Sequence, residues 1–343
     1  MSAPLVAAAG MTFSGSLEDY PDGIIIPVDK PWRWTSADVV RKVKFAAAKH
    51  FSYKKIKVGH AGTLDPLATG VLLVCIGKAT KLAEDLQKHE KEYVATVVFG
   101  ATTPSYDREK EPDRFFRVDG ISAAAVEQAL QGLTGTYEQV APLFSAKSAD
   151  GVRAYEIARR LFRAGQAQAA ASAGHEVADS GTGLVQATSS AGHEAAASGT
   201  GLAQALDETA LSLLTRNLVT VSEAELLQFG MLGKEISPRA ALGRNDKEDA
   251  GRNDKDIPGA PFVISSEAEK SRASSRINVA DVSGLELPAA VVRIRCSKGT
   301  YIRAFARDLG EALGSGAFLA DLRRTASGAF SSSVPLPDVL AML

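Results

Sequence analysis

The run GVLLVCIG, residues 70–77, carries six consecutive apolar residues between two glycines and no charge. At that length, with Val and Ile prominent, it reads as a buried strand. A strand apolar at every position needs cover on both faces. Further strands are expected at 23–31 (GIIIPVDKP), 93–99 (YVATVVF) and 290–296 (AVVRIRC). Helices are expected between them. Thr35-Ser36-Ala37-Asp38 has the form of a capping box, with Val39, Val40, Val43 and Ala47 on the helical face that follows. Residues 78–86 read as helical, Ser122 as the cap of a helix running to about Leu130, and 153–162 as another helix. Ile302, Phe305, Ala306, Leu309 and Leu313 define one face of a late helix. Strands and helices mix without a regular βαβ alternation, so the fold class is α+β.

Two segments lack this patterning. Residues 165–207 are rich in Ala, Gly and Ser, and Ser172–Ala187 recurs as Ser190–Ala205. Residues 233–276 contain Gly-Arg-Asn-Asp-Lys twice. Two copies are too few for a solenoid, and low apolar content favours disorder or loose helix. Both are expected to be insertions in one domain spanning 23–343, with residues 1–22 a frayed leader.

Net charge is −1, yet the charge is unevenly spread. From Lys30 to Tyr93 there are 13 Lys/Arg against 6 Asp/Glu, and from Arg293 to Arg324 there are 7 against 3. Local basic patches attract phosphates whatever the total. No run of 18 apolar residues offers a membrane span. The two cysteines, Cys75 and Cys296, sit in apolar segments, as free thiols in a reducing cytosol would. No Cys/His cluster has the spacing of a metal site, so no metal is expected.

The chemistry points to GHAGTLDPLATG, residues 59–70. Pro66 forces Asp65 onto extended backbone and removes the next amide donor. The surrounding glycines allow tight turns and close approach of a ligand. Alone, Asp-Pro reads more often as a structural Asx-turn than as a nucleophile. Lys298-Gly299-Thr300-Tyr301-Ile302-Arg303 lies at a strand-to-helix junction, where free amides favour anions. Arg303 falls one position off that helix's apolar face. Tyr93 opens a strand.

Together these motifs resemble the TruB family of pseudouridine synthases, which modify the T loop of tRNA. GHAGTLDPLATGVL is similar to that family's catalytic motif. Lys91-Glu92-Tyr93 falls where its stacking tyrosine lies, 28 residues after Asp65. GATTPSYD (100–107), QVAPLFSAKSADGVRAYEIAR (139–159), CSKGTYIRAFARDLG (296–310) and Leu322-Arg323-Arg324 resemble its other segments. Arg33 stands where the family usually has Gly. Ala141 and Phe144 replace a Pro and a Tyr.

The resemblance implies a pseudouridine synthase fold, with a mixed, mostly antiparallel sheet flanked by helices and a cleft across it. It implies isomerisation of U55 by Asp65 acting on a flipped-out base, with Arg303 paired to Asp65 and Tyr93 stacked on the base. His60 would fill space in the T loop, Tyr301 would pack on base or sugar, and Leu322 would line the pocket. Lys30 and Lys78 are weaker candidates for phosphate contacts. No cofactor is implied. The partner would be the T arm of tRNA, with no membrane, a cytoplasmic location and a monomeric state. The C-terminal RNA-binding domain of many relatives is expected to be absent. Two rival readings are a non-catalytic RNA-binding protein on the same fold and a glycoside hydrolase. The second needs a pair of carboxylates, and no second Asp or Glu stands beside Asp65 in GHAGTLDPLATG.

Overall fold

A computed structural model describes residues 3–142, 148–149, 152–153, 216–234, 236, 277, 279–282 and 284–343. All but Arg153 of the expected helix at 153–162, almost all of both insertions, and Phe144 lie outside the described residues; Arg153 itself is in a strand. The chain divides into a large unit, residues 1–139 and 217–343, and a small one, residues 140–216. The described part of the small unit holds an antiparallel pair, β9 (Ser148–Ala149) and β10 (Val152–Arg153).

The large unit is built on one sheet. In chain order its strands are β1 (Leu5–Val6), β2 (Ile24–Lys30), β3 (Val58–Ala61), β4 (Ala68–Ile76) and β5 (Lys91–Phe99), then β8 (Gly135–Val140), β11 (Arg216–Met231), β12 (Pro288–Cys296), β13 (Ala317–Ser327) and β14 (Val334–Pro335). A separate ribbon pairs β6 (Ala101–Thr102) with β7 (Arg114–Phe115). The strand order is β1-β2-β4-β13-β5-β12-β11-β8, with β14 on β2 and β3 on β4. Pairings of β1 with β2, β14 with β2 and β4 with β13 are parallel. Those of β2 with β4, β3 with β4, β13 with β5, β5 with β12 and β12 with β11 are antiparallel. The mixed, mostly antiparallel sheet is the expected one.

One face of the sheet is covered by helices. These are α1 (Ser36–His50), α3 (Ala123–Gly132), α4 (Ile302–Ala312) and α5 (Leu336–Met342). Val39, Val43, Val126, Phe305, Leu309 and Val339 share a core with Ile26, Leu72, Val74, Ala95 and Ile294. The other face of β4, with Val71, Leu73 and Cys75, packs against Leu86 of α2 (Ala83–Lys88). Hence every residue of β4 is buried, which is why its sequence shows no alternation. Cys75 and Cys296 are buried free thiols, pushed up by burial to about 11 and about 12.

Two expectations change. Residues 3–22 do not fray. Leu5 and Val6 pair with Ile24 and Ile25, Ala7 and Phe13 are buried, and Phe13 meets Tyr20 edge-on at 5.7 Å. Those apolar anchors hold the segment. The helix expected at 78–86 is a 3-10 turn, Gly77–Leu82, followed by α2, because the Thr80 hydroxyl bonds Gly77 O at 2.8 Å and tightens the first turns.

Candidate active site

The site begins where β4 changes neighbour. On one edge, the later residues of β4 pair with β3, at Val58↔Ile76 through Ala61↔Leu73. Its first residues pair with β13, at Leu322↔Ala68 through Arg324↔Gly70. The loop joining β3 to β4, residues 62–67, therefore emerges beside β13 and carries Asp65.

This loop is tied at four of its six residues. The Ser36 hydroxyl, in the first turn of α1, donates to Leu64 O (3.2 Å) and accepts from Leu64 N (2.9 Å). Pro66 O accepts from Arg33 N (3.0 Å) and Lys30 Nζ (3.1 Å). Arg324, almost wholly buried, donates to Val71 O (2.7 Å) and Gly62 O (3.1 Å), clasping both ends. Gly70 makes that clasp possible. Its φ is 98°, and a Cβ there would lie 2.1 Å from Arg324 O. A loop so held presents its one carboxylate in fixed geometry.

Asp65 receives Arg303 in a two-point pair, with Nε donating to Oδ2 at 2.9 Å and Nη2 to Oδ1 at 3.2 Å. The Arg303 side chain is 7% exposed and that of Asp65 is 39% exposed. The guanidinium is thus behind the carboxylate, and the carboxylate faces solvent. Burial alone would pull Arg303 down, but Asp65 and Asp107 outweigh it and hold the guanidinium above its ordinary value. Arg303 reaches inward because its neighbours Ile302, Phe305 and Ala306 seat α4 in the core.

Asp107 is a second carboxylate, which sequence reasoning missed. Its Oδ2 lies 3.7 Å from Arg303 Nε, and its Oδ1 accepts from the Ser105 hydroxyl (2.6 Å) and Glu109 N (2.9 Å). Burial pushes it above the usual carboxylate range, with Arg303 opposing. Ser105 O also accepts from Arg303 Nη1 at 3.2 Å. The group orients the guanidinium rather than facing outward. The signal in the sequence was the family-like segment GATTPSYD, which ends on Asp107 and to which no role was assigned.

Asp65, Asp107, Arg303 and Leu322 line one recess, together with a third carboxylate, Asp321. Tyr93 stands next to it. Tyr93 pairs with Arg324 and Ala95 with Leu322 across β5 and β13, so all four project to the helical face. Burial pushes the Tyr93 hydroxyl above its ordinary value, with Arg324 opposing, so it is a phenol at neutral pH. His60, on β3, shares a face with Val58. Its Nδ1 is buried without a hydrogen-bond partner among the described residues, and burial, then Arg324, hold it below its ordinary value. Tyr301 is the N-cap of α4. Gln139 fixes its backbone from both sides, accepting from Tyr301 N (2.8 Å) and donating to Tyr301 O (3.2 Å).

The two lysines stand elsewhere. Lys30 is 0% exposed and cannot meet a phosphate. Its ammonium donates to Pro31 O (2.9 Å), Trp34 O (2.5 Å) and Pro66 O (3.1 Å), so it braces the Asp65 loop from beneath. Burial draws it down to about 7, with Asp65 opposing. Lys78 is exposed, but it follows the far end of β4, roughly 30 Å along the strand from the loop.

A recess lined by the Asp65–Arg303 pair and by Leu67, Leu319 and Leu322, with the buried Tyr93 beside it, can carry carboxylate chemistry on a ligand with apolar faces. Comparison with known families gives that chemistry a class. Residues 49–171 match the model of the TruB family pseudouridylate synthase N-terminal domain, and residues 303–343 that of the tRNA pseudouridylate synthase B C-terminal domain. The tRNA pseudouridine synthase B of Phocaeicola vulgatus is 35% identical over 324 residues, covering 94% of this chain and 92% of that one. Its counterpart from Bacteroides thetaiotaomicron is 36% identical over 310 residues, covering 90% and 88%. Among solved structures, a Cbf5-Nop10-Gar1 complex matches at 19% identity and a TM-score of 0.49, over 99% of this chain and 60% of that one. The chain belongs to the TruB family of pseudouridylate synthases.

Proposed function

We propose that the protein isomerises the T-loop uridine of tRNA, U55, to pseudouridine, with Asp65 as the nucleophile. The reading is carried by the two-point Asp65–Arg303 pair, made by residues 238 apart in the chain with the carboxylate turned outward. Support for tRNA as substrate comes from the relatives, which are tRNA pseudouridine synthases B.

In this reading the target uridine leaves its stack and enters the recess. Asp65 attacks C1′ as the C1′–N1 bond breaks. The freed uracil turns and C5 bonds to C1′, releasing Asp65. The C5 proton passes to solvent and N1 gains one, so product and substrate are isomers. Arg303 holds the attacking carboxylate in one orientation through its two hydrogen bonds. Tyr93 holds the ring by stacking while it is detached. Leu322 excludes water beside it. Tyr301 packs against base or sugar, and His60, neutral, fills space at the loop.

The test is to map the product on an unmodified full-length tRNA transcript. The expected result is one pseudouridine, at position 55, absent from a transcript with cytidine there. Pseudouridine at another position, or none, would overturn the assignment.

A further inference from the structure

Between Val39 and Leu64 the chain has seven Lys/Arg and no Asp or Glu. The structure places these cations on one side of α1 and on the turn after it. Val39, Val43 and Ala47 face the core. Opposite them, four residues apart, run Arg41, Phe45 and Lys49, all exposed, with Lys42 and Lys44 on the flanks. The turn beyond the helix continues the series with Tyr53, Lys54 and Lys55. Phe45 is 71% exposed and Tyr53 is 50% exposed. Cation and aromatic thus alternate along the stripe. Arg41 pairs with Asp38 at 2.8 Å. Among the described residues no carboxylate lies within ion-pair distance of the other six cations.

We propose that this stripe is a second RNA-contacting surface, separate from the recess, taking phosphates on its lysines and unstacked bases on Phe45 and Tyr53. The inference rests on the proposed RNA substrate and extends it to a surface outside the catalytic residues. Unneutralised lysines interleaved with exposed rings form the surface that single-stranded and loop RNA requires, since every base has a face to stack and every linkage a charge. Position supports the same partner. The first turn of α1 touches the Asp65 loop through Ser36, and the helix extends about 22 Å from there. RNA seated in the recess therefore has chain within reach of the stripe.

The experiment measures affinity for an unmodified full-length tRNA transcript across a salt series. It compares wild type, a Lys42→Ala/Lys44→Ala/Lys49→Ala variant and a Phe45→Ser variant, each checked for folding by thermal melting. All four side chains are exposed, so the fold should persist. The lysine variant is expected to bind about tenfold more weakly or worse, with a slope of log affinity against log salt shallower by about 2. Phe45→Ser should lose about tenfold with the slope kept. Wild-type affinity and slope in the lysine variant would overturn the proposal and leave the stripe to a protein partner. Pseudouridine formation by wild type on the same transcript reports separately on the catalytic reading.

Discussion

At the scale of single residues, the site is an arginine held between two carboxylates that do different work. Asp65 faces solvent, whereas Asp107 is buried and spends its oxygens on Ser105, Glu109 N and Arg303. Asp107→Asn should therefore leave RNA affinity intact but lower the single-turnover rate about 10- to 100-fold, because a guanidinium freed on one side misplaces the carboxylate on the other. An unchanged rate would mean that Asp107 serves only the fold. Arg33 makes a second case. Its φ is 64°, a left-handed conformation that glycine adopts without strain, which explains why Gly is usual there in the family. Relief of that strain, about 1 kcal/mol, is offset by the lost stacking on Trp32 and the greater chain entropy of Gly. Arg33→Gly should shift stability by less than about 1 kcal/mol in denaturant unfolding. Asp65, Arg303, Tyr93 and Leu322 could be picked out of the sequence because motifs of known type carry them. Asp107 was not, although the family-like GATTPSYD ends on it, because its contact with Arg303, 196 residues away in the chain, is set only by the fold. Lys30 was misread as a phosphate contact, because a lysine at the end of a strand looks exposed until three carbonyls are found around it.

At the scale of elements, legibility followed the apolar pattern. β4, α1 with its capping box, and α4 were evident because their periodicity matches how they are buried. β13 was not recognised, although it joins β4 to β5 and carries Leu322 and Arg324. Its sequence, AFLADLRRTAS, sets three charged residues inside the sheet, and bulges at Leu319/Asp321 and Arg324/Ala326 break its alternation. The charges are there because the Asp65 loop needs Arg324 beneath it and Asp29 needs Arg323, which it holds at 2.8 and 3.0 Å. The β4–β13 junction is also the element most sensitive to substitution. Gly70→Ala should cost about 3 kcal/mol or more in denaturant unfolding, since neither Arg324 O nor the φ of 98° can yield cheaply. Gly59→Ala, which meets nothing within 4 Å, is the control and should cost under about 1 kcal/mol. Equal costs would contradict the account of the junction.

At the scale of the whole molecule, one sheet does two jobs: its helical face holds the site, and its outer edge is finished by the first residues of the chain. β1 and β14 lie end to end along β2, so an otherwise open edge is covered. Phe13 anchors this cover, and Phe13→Ala should cost about 3 kcal/mol and speed proteolysis before residue 22. An unaltered cleavage rate would show that the segment is held by strand pairing alone. The central claim is that this assembly turns uridine over through Asp65. Its most direct test is single-turnover tritium release from a T-arm RNA carrying [5-³H]uridine, with wild type and Asp65→Asn compared at RNA concentrations where both bind. The account predicts release by wild type and a loss of about a thousandfold or more in Asp65→Asn with binding kept. Release by Asp65→Asn at a rate near wild type, or none by a wild type that binds the RNA tightly, would contradict it.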